Sequence, residues 1–132
     1  MRKRSSSSAE VRFFTLDYDY VMEKLKDYAK KCVEKGARAV LLIGSLARGD
    51  YTAFSDADVV IVVDKAPPRA VDRIKDFIDS HMPLDVEPRV YTLEELRRLA
   101  MQRSKIVEEI VRYGKLLAGD ESVLTMLRNL FE

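Results

Sequence analysis

Two short, continuous runs of apolar residues constrain the fold of this chain more than any other feature. Residues 37–43 read ARAVLLI and end at Gly44, and residues 57–63 read ADVVIVV and end at Asp64. Short runs that are rich in branched residues and lack polar alternation are typical of strands covered on both faces. A sheet covered on both faces needs helices above and below it. The two runs therefore predict a sheet with helices on each side.

Helical spacing surrounds these two runs. After Asp17, apolar residues recur every three or four positions, and Gly36 is well placed to end that helix. A second helix is predicted over residues 68–82, because proline suits a first helical turn and the apolar spacing continues to His81. We interpret His81 as a structural residue on the apolar face of this helix.

The remaining third of the chain adds strands and helices in alternation. Residues 84–91 predict a third strand, and its Pro88 predicts a sheet edge or a bulge because proline cannot donate to a ladder. Thr92 and Glu95 fit a capping box at the start of a helix. A short strand is predicted at residues 115–118, with helices both before and after it. The order of elements predicts a single α/β or α+β domain.

The chain divides into a short tail and one domain. Residues 1–9 read MRKRSSSSA and predict a disordered basic, serine-rich tail. Residues 10–132 are predicted to form the single domain, since domains have roughly 100–200 residues. We expect a cytoplasmic protein with no membrane partner, because no apolar run approaches the roughly 18 residues of a membrane span. The net charge of +1 makes nucleic acid an unfavoured partner.

The composition restricts the chemistry that the chain can carry. One cysteine, Cys32, excludes an intrachain disulfide, and together with the single histidine it excludes a zinc site built from cysteine and histidine. Carboxylates, hydroxyls and cations remain, which favours magnesium-type sites. Charged residues make up 34% of the chain, and Gln102 and Asn129 are its two amide residues. That composition is typical of proteins from hyperthermophiles, so we predict a thermophilic source.

A Gly-Ser pair follows the first predicted strand directly. Gly44 and Ser45 precede a segment that can start a helix. Backbone N–H groups at a helix start favour phosphate, and a glycine lets a phosphate approach the backbone closely. Ser45 adds a hydroxyl donor. A Gly-Ser pair after a strand is also a common turn, so the pair alone leaves both interpretations open.

Four acidic residues are candidate oxygen ligands of a magnesium site. Asp56 and Asp58 stand two positions apart at the head of the second strand, so alternation places their side chains on one face. A divalent cation relieves the repulsion between such charges. Asp85 at the start of the third strand is the third candidate ligand, and Glu87 on the same face is its alternative. Three carboxylates on adjacent strands can hold two metal ions about 4 Å apart, as in-line phosphoryl displacement requires.

The joint pattern resembles the polymerase-beta-type nucleotidyltransferase superfamily. Its signature is Gly-Ser, ten intervening residues and Asp-x-Asp, and it is matched at residues 44–45 and 56–58. Further matches are Arg48-Gly49, Ser55 and the Leu-Asp-Val segment that carries Asp85. At this length the chain is most similar to the minimal, single-domain prokaryotic members called MNT proteins.

The resemblance implies a fold, a reaction and a set of metal ligands. The fold would be a small mixed sheet flanked by helices. The reaction would be the transfer of a nucleoside monophosphate, with AMP expected, from a nucleoside triphosphate to an acceptor hydroxyl, using two Mg²⁺ ions. Asp56 and Asp58 would bind both ions, and Asp85 would bind the ion that activates the acceptor.

The resemblance also implies nucleotide-binding residues. Gly44 and Ser45 would hold the β- and γ-phosphates, and Ser55 belongs to the same set. Arg48 is a phosphate partner in one interpretation and a structural ion-pair residue in the other. Acceptor recognition would come from a partner, a homo-oligomer or a small acceptor.

Three functions remain open at this stage. The first is an antitoxin that attaches AMP to a HEPN-domain toxin, as the resemblance to MNT proteins implies. The second is a binding module that neutralises a HEPN partner by contact alone. The third is a nucleotidyltransferase acting on a small molecule or RNA. The aspartates at 56, 58 and 85 favour catalysis, because a pure binder has no physical need to keep repelling charges together.

Overall fold

The computed structural model describes residues 17–132, and the tail predicted at residues 1–9 lies outside this range, as do residues 10–16. The elements in chain order are α1 (Tyr18–Glu34), β1 (Ala39–Ile43), α2 (Gly44–Arg48), β2 (Ala57–Val63), α3 (Ala70–Ile74), β3 (Val86–Thr92), α4 (Leu93–Met101), α5 (Lys105–Tyr113), β4 (Lys115–Gly119) and α6 (Ser122–Phe131). A single 3₁₀ turn, Lys75–Phe77, extends α3. The prediction of a mixed sheet flanked by helices is confirmed.

The four strands form one sheet in the order β3-β2-β1-β4. β1 runs antiparallel to both β2 and β4, whereas β2 and β3 run parallel. Every residue of β1 is buried, as the unbroken apolar run predicted. β3 is an edge strand, and this accommodates Pro88 without the loss of a ladder bond inside the sheet.

Each face of the sheet is covered by a separate apolar cluster. Val40 and Leu42 point to the face covered by α1, where Leu25 is fully buried. Leu41 and Ile43 point to the opposite face, which α4, α5 and α6 cover. A fully buried side chain of this size contributes about 1.5–3 kcal/mol. The alternation along each strand therefore decides which helix a side chain meets.

Local signals place both ends of α1 and the start of α4 where the sequence predicted them. The Asp17 carboxylate accepts a hydrogen bond from the Tyr20 N–H at 3.2 Å and caps α1, and Gly36 with φ of +114° follows its end. The Thr92 hydroxyl and the Glu95 carboxylate form the reciprocal capping box at the start of α4. Within residues 17–132, no helix has the length and apolar character needed to cross a membrane.

The helix predicted over residues 68–82 is wrong at both ends, because it begins at Ala70 and its last turn stops at Phe77. Phe77 is the last buried side chain of the segment, and the next apolar residue, Ile78, is 61% exposed. The Asp79 carboxylate then accepts the His81 N–H at 2.9 Å and forms a turn. The His81 side chain is 94% exposed, so the prediction of a core histidine is also wrong.

Candidate active site

The Gly-Ser pair lies at the point where β1 ends and α2 begins. Gly44 is buried and has φ of +77°, a backbone conformation that side chains disfavour. A Cβ atom at this position would clash with the Asp58 carboxylate. Gly44 is therefore required both by its backbone angle and by the close approach of Asp58. Ser45, the second residue of α2, is half-buried beside it.

Asp58 belongs to β2 and faces the side of the sheet that carries α4, α5 and α6. It pairs across the sheet with Ile43, the last residue of β1, and shares its face with Val60 and Val62. Asp56 lies two positions earlier, one residue before the strand, and is exposed. Asp58, the second residue of the Asp-x-Asp pair, therefore lies beside the Gly-Ser turn.

The parallel pairing of β2 with β3 decides which acidic residue lies opposite Asp58. In the observed register Asp58 is paired with Glu87. The charges of Asp58 and then Asp56 raise the pKa of the Glu87 carboxyl above its usual value, since like charges disfavour ionisation. Asp85 lies just before β3, and its backbone carbonyl accepts the Ala57 N–H at 2.8 Å. The structure thus brings Glu87 next to Asp58, while the metal-binding role of Asp85 stays a prediction.

Glu87 is close enough to Asp58 and Asp56 to interact with them, but these carboxylates do not form a closed metal-binding group. Among residues 17–132, no three aspartate, glutamate, histidine or cysteine side chains are arranged as a metal-binding group. Within the same range, no ion pair involves Asp56, Asp58 or Glu87. Magnesium takes one or two carboxylates together with water and substrate phosphates, so it needs no closed protein cage. This oxygen-only set of mutually repelling charges fits such an ion.

Ser55 has a structural partner in the loop before the Asp-x-Asp pair. Its hydroxyl accepts the Thr52 N–H at 2.8 Å, and its own N–H donates to the Thr52 carbonyl at 3.2 Å. These two bonds close a turn that leads directly to Asp56. A nucleotide-binding role for Ser55 stays a prediction.

Arg48 forms an ion pair, which was one of its two predicted interpretations. Its Nη1 donates to Glu109 Oε2 at 2.7 Å, and its Nε donates to the Asp50 carboxylate at 3.4 Å. Glu109 Oε2 also accepts the Gly44 N–H at 2.9 Å. Sequence reasoning did not find Glu109, because a single glutamate on a helix is typical of a solvated face. The signal lies in the packing of α5 against α2 and β1.

These features can be set against known proteins. Residues 22–113 match the family model described as the nucleotidyltransferase domain. The chain belongs to this nucleotidyltransferase family. The match spans the helix α1, the Gly-Ser turn, the Asp-x-Asp pair, β3 and α5. The predicted family and the predicted class of enzyme are confirmed at this level.

One curated relative extends the comparison. A protein from Methanocaldococcus jannaschii, whose name proposes it as a protein adenylyltransferase, is 30% identical. The alignment covers 57% of this chain and 60% of the relative. The chain thus spans about 60% of that protein's length.

Two solved structures share the fold. A crystal structure of a protein from Sulfolobus solfataricus, described as a candidate nucleotidyltransferase, is 18% identical, with a TM-score of 0.55, over 90% of this chain and 95% of the other. A crystal structure of a toxin-antitoxin with AMP-PNP is 17% identical, with a TM-score of 0.57, over 80% of this chain and 86% of the other. At these identities the likeness establishes a shared fold.

Proposed function

We propose that this chain transfers AMP from ATP to a hydroxyl group of a partner protein in a Mg²⁺-dependent reaction. One observation carries the proposal. The Asp58 carboxylate is packed against Gly44 at the end of β1, and Glu87 lies close enough to interact with both Asp58 and Asp56. A phosphate-binding turn in contact with repelling carboxylates suits a metal-bound triphosphate.

Each carboxylate has a separate task in this proposal. Asp56 and Asp58 would hold Mg²⁺, which when bound would offset the negative charge of the triphosphate and of the departing pyrophosphate. Glu87, opposite Asp58 in the register, is the third carboxylate, and Asp85 is the alternative. The third carboxylate would also accept the proton of the acceptor hydroxyl.

The proposed transfer forms one bond to the α-phosphorus of ATP and breaks another. The acceptor oxygen forms a bond to the α-phosphorus of ATP and gives its proton to a carboxylate. The bond between the α-phosphorus and the oxygen that bridges to the β-phosphorus breaks, and pyrophosphate leaves with that electron pair. Gly44 allows the phosphates to approach the backbone, and the Ser45 hydroxyl donates to them.

A protein acceptor is supported by the known proteins that this chain resembles. The relative from M. jannaschii carries a name that proposes protein adenylylation, and one fold neighbour was solved as a toxin-antitoxin with AMP-PNP. With the resemblance to MNT proteins, these favour an antitoxin role, in which the acceptor is a HEPN-domain toxin. ATP is then the nucleotide.

The decisive experiment follows the label of ATP onto the partner. The purified chain is incubated with Mg²⁺ and a candidate HEPN-domain protein, to be sought among the products of the genes next to its own, using ATP labelled at the α-phosphorus or, in parallel, at the γ-phosphorus. We expect the α-label alone to become covalently attached and EDTA to abolish attachment. Transfer of the γ-label would identify phosphorylation instead. A stable complex with no label would favour neutralisation by contact.

Two variants near opposite ends of β2 are compared in the same assay, one at the proposed site and one as its control. Asp58→Asn removes the carboxylate beside Gly44, and we expect transfer to fall by a factor of roughly 10³ or more, because the metals supply most of the charge stabilisation. Asp64→Asn alters an exposed aspartate that pairs with Arg38 at 2.8 Å, and transfer should stay near the parental rate. Equal loss in both variants would contradict the proposed site.

A second pair of variants identifies the third carboxylate. If Glu87 holds that position, Glu87→Gln lowers transfer by a factor of roughly 10² or more, whereas Asp85→Asn lowers it by less than about tenfold. The Mg²⁺ concentration for half-maximal activity should rise in Glu87→Gln and stay near the parental value in Asp85→Asn. The reverse order would assign the position to Asp85.

A further inference from the structure

The Gly-Ser turn is held from outside its own segment. Glu109 lies 65 residues after Gly44, on α5, and its Oε2 atom accepts the Gly44 N–H at 2.9 Å. The same oxygen accepts a hydrogen bond from Arg48 Nη1 at 2.7 Å. Gly44 and Arg48 are the first and last residues of α2. One carboxylate oxygen therefore links both ends of this short helix to α5.

The element that carries Glu109 is firmly placed. Val107 and Ile110, on either side of Glu109, are fully buried in the cluster that covers this face of the sheet. The Glu109 side chain itself is 31% exposed and that of Arg48 is 35% exposed. The carboxylate thus lies at the border between core and solvent, on a helix whose buried side chains pack against the sheet.

The helix α2 needs such an external partner. Five residues are too few for a stable isolated helix, because nucleation costs more than one turn returns. Gly44 is buried, has φ of +77° and lies one residue beyond the last pair of the β1–β2 register, and its N–H donates to Glu109. A charged acceptor on that N–H fixes the turn more strongly than a neutral acceptor would.

The charge of Glu109 is compensated, unlike that of Asp58. Arg48 neutralises Glu109 at 2.7 Å, whereas Asp58, which also contacts Gly44, has no ion pair within residues 17–132. Glu109 therefore borders the carboxylate cluster without adding to its repulsion. A compensated carboxylate suits orientation rather than metal binding.

We propose that Glu109 is a positioning residue for nucleotidyl transfer. It acts through Gly44 and Arg48, holding the Gly-Ser turn against Asp58 in the geometry that receives the triphosphate. The inference rests on the proposed function, because it assigns the turn to nucleotide phosphates. Arg48 then supports the site by bonding the last residue of α2 to the same Glu109 oxygen that accepts the Gly44 N–H.

Three variants test this role. Glu109→Ala removes both hydrogen bonds, and Glu109→Gln keeps an acceptor for the Gly44 N–H but loses the charge that pairs with Arg48. Glu108→Gln is the matched control, because Glu108 lies beside Glu109 on α5 and pairs with Arg112 on the surface at 3.3 Å. Thermal melts first set a temperature at which all the proteins are folded.

Two measurements are made at that temperature. Calorimetry with Mg²⁺ and an ATP analogue with a methylene group between the α- and β-phosphorus atoms should show affinity reduced roughly 10–100-fold in Glu109→Ala, as for other supporting residues of metal sites. Glu109→Gln should lie between Glu109→Ala and the parent, and Glu108→Gln should match the parent. Amide hydrogen exchange at Gly44 should accelerate in Glu109→Ala.

The outcomes separate this inference from the proposed function. A parent protein that binds no nucleotide would overturn the proposed function, and the inference with it. A parent that binds, with Glu109→Ala binding equally well or with unchanged exchange at Gly44, would overturn the inference alone. Tighter binding in Glu109→Gln would also overturn it, since Glu109 would then compete with phosphate.

Discussion

Two glutamates near the two ends of β3 have opposite electrostatic environments. Glu87, the second residue of β3, lies among acidic side chains, and Asp58 and then Asp56 raise its pKa. Glu95, in the first turn of α4, receives two hydrogen bonds from the Arg73 guanidinium at 2.7 and 2.9 Å. Arg73 together with the capping box lowers the pKa of Glu95 to about 2.

The difference distinguishes a carboxylate that stabilises the fold from one that is available for chemistry. Glu95 satisfies the Thr92 N–H and pairs with an arginine that is 13% exposed. That arginine also donates to the carbonyls of Pro67 and Val90, so it joins α3, β3 and α4. Glu87 has no comparable network within residues 17–132, and its repulsion with Asp58 remains for a cation to relieve.

The largest effect should come from replacing Asp56 and Asp58, the two aspartates whose charges act on Glu87. In Asp56→Asn with Asp58→Asn, packing is nearly conserved while two negative charges are lost, so we expect transfer to fall by a factor of roughly 10³ or more. The metal-free protein should melt at the parental temperature or slightly above it, because repulsion is relieved. Thermal melts with and without Mg²⁺-ATP, run beside the transfer assay, measure both. A lower melting temperature with parental transfer would contradict the metal site.

A smaller effect on a different property is expected at the compensated glutamate. Glu95→Gln should lower the free energy of unfolding by about 1–3 kcal/mol, because it weakens a half-buried ion pair and one arm of the capping box. The folded pKa of about 2 lies below the ordinary 4.5. The stabilisation is therefore present above pH 4.5 and is lost as the pH falls from about 4.5 to 2.

Denaturant unfolding at several pH values checks this assignment. The stability difference between parent and Glu95→Gln should be largest at neutral pH and should shrink below pH 4.5. Glu94→Gln is the control, since Glu94 is exposed on the same turn of α4. A constant difference across the whole range would mean that ionisation of Glu95 does not contribute.

The smallest effect should be the change in melting temperature when Glu87 is replaced by glutamine in the metal-free protein. Because the folded pKa of Glu87 is raised, ionised Glu87 opposes folding at neutral pH, and the opposition disappears as the pH falls below its folded pKa. Glu87→Gln should therefore raise the metal-free melting temperature by about a few degrees or less, since the group is exposed. Added Mg²⁺ should stabilise the parent more than the variant. A lower melting temperature in the variant would show that Glu87 has a supporting partner.

Much of the fold follows from residue patterns that act locally. The unbroken apolar runs predict β1 and β2, and Thr92 with Glu95 predicts the start of α4. The helix over residues 68–82 was overextended because Ile78 and His81 fit the helical spacing. The spacing along the sequence does not show that the core ends at Phe77.

The site shows the same division between local and long-range information. The spacing between Gly44 and Asp58 is fixed along the chain and could be recognised from the sequence. The choice between Asp85 and Glu87 could not be made from the sequence, because both residues share one face. The register of β2 with β3 decides which of them lies opposite Asp58. Glu109 meets Gly44 through helix packing alone.

The parallel pairing of β2 with β3 also sets when the site is completed during folding. A parallel pair cannot be closed by a tight hairpin, so residues 64–85 must form a crossover before Glu87 meets Asp58. Closing long loops slows folding, and synthesis supplies the segments from the N-terminus onwards. A nascent chain therefore presents Asp56 and Asp58 before Glu87, and gains Glu109 only after α5 has been made. Assembly of the site thus depends on two long-range contacts, and a chain that stalls before α5 retains the Gly-Ser and Asp-x-Asp residues without the complete site.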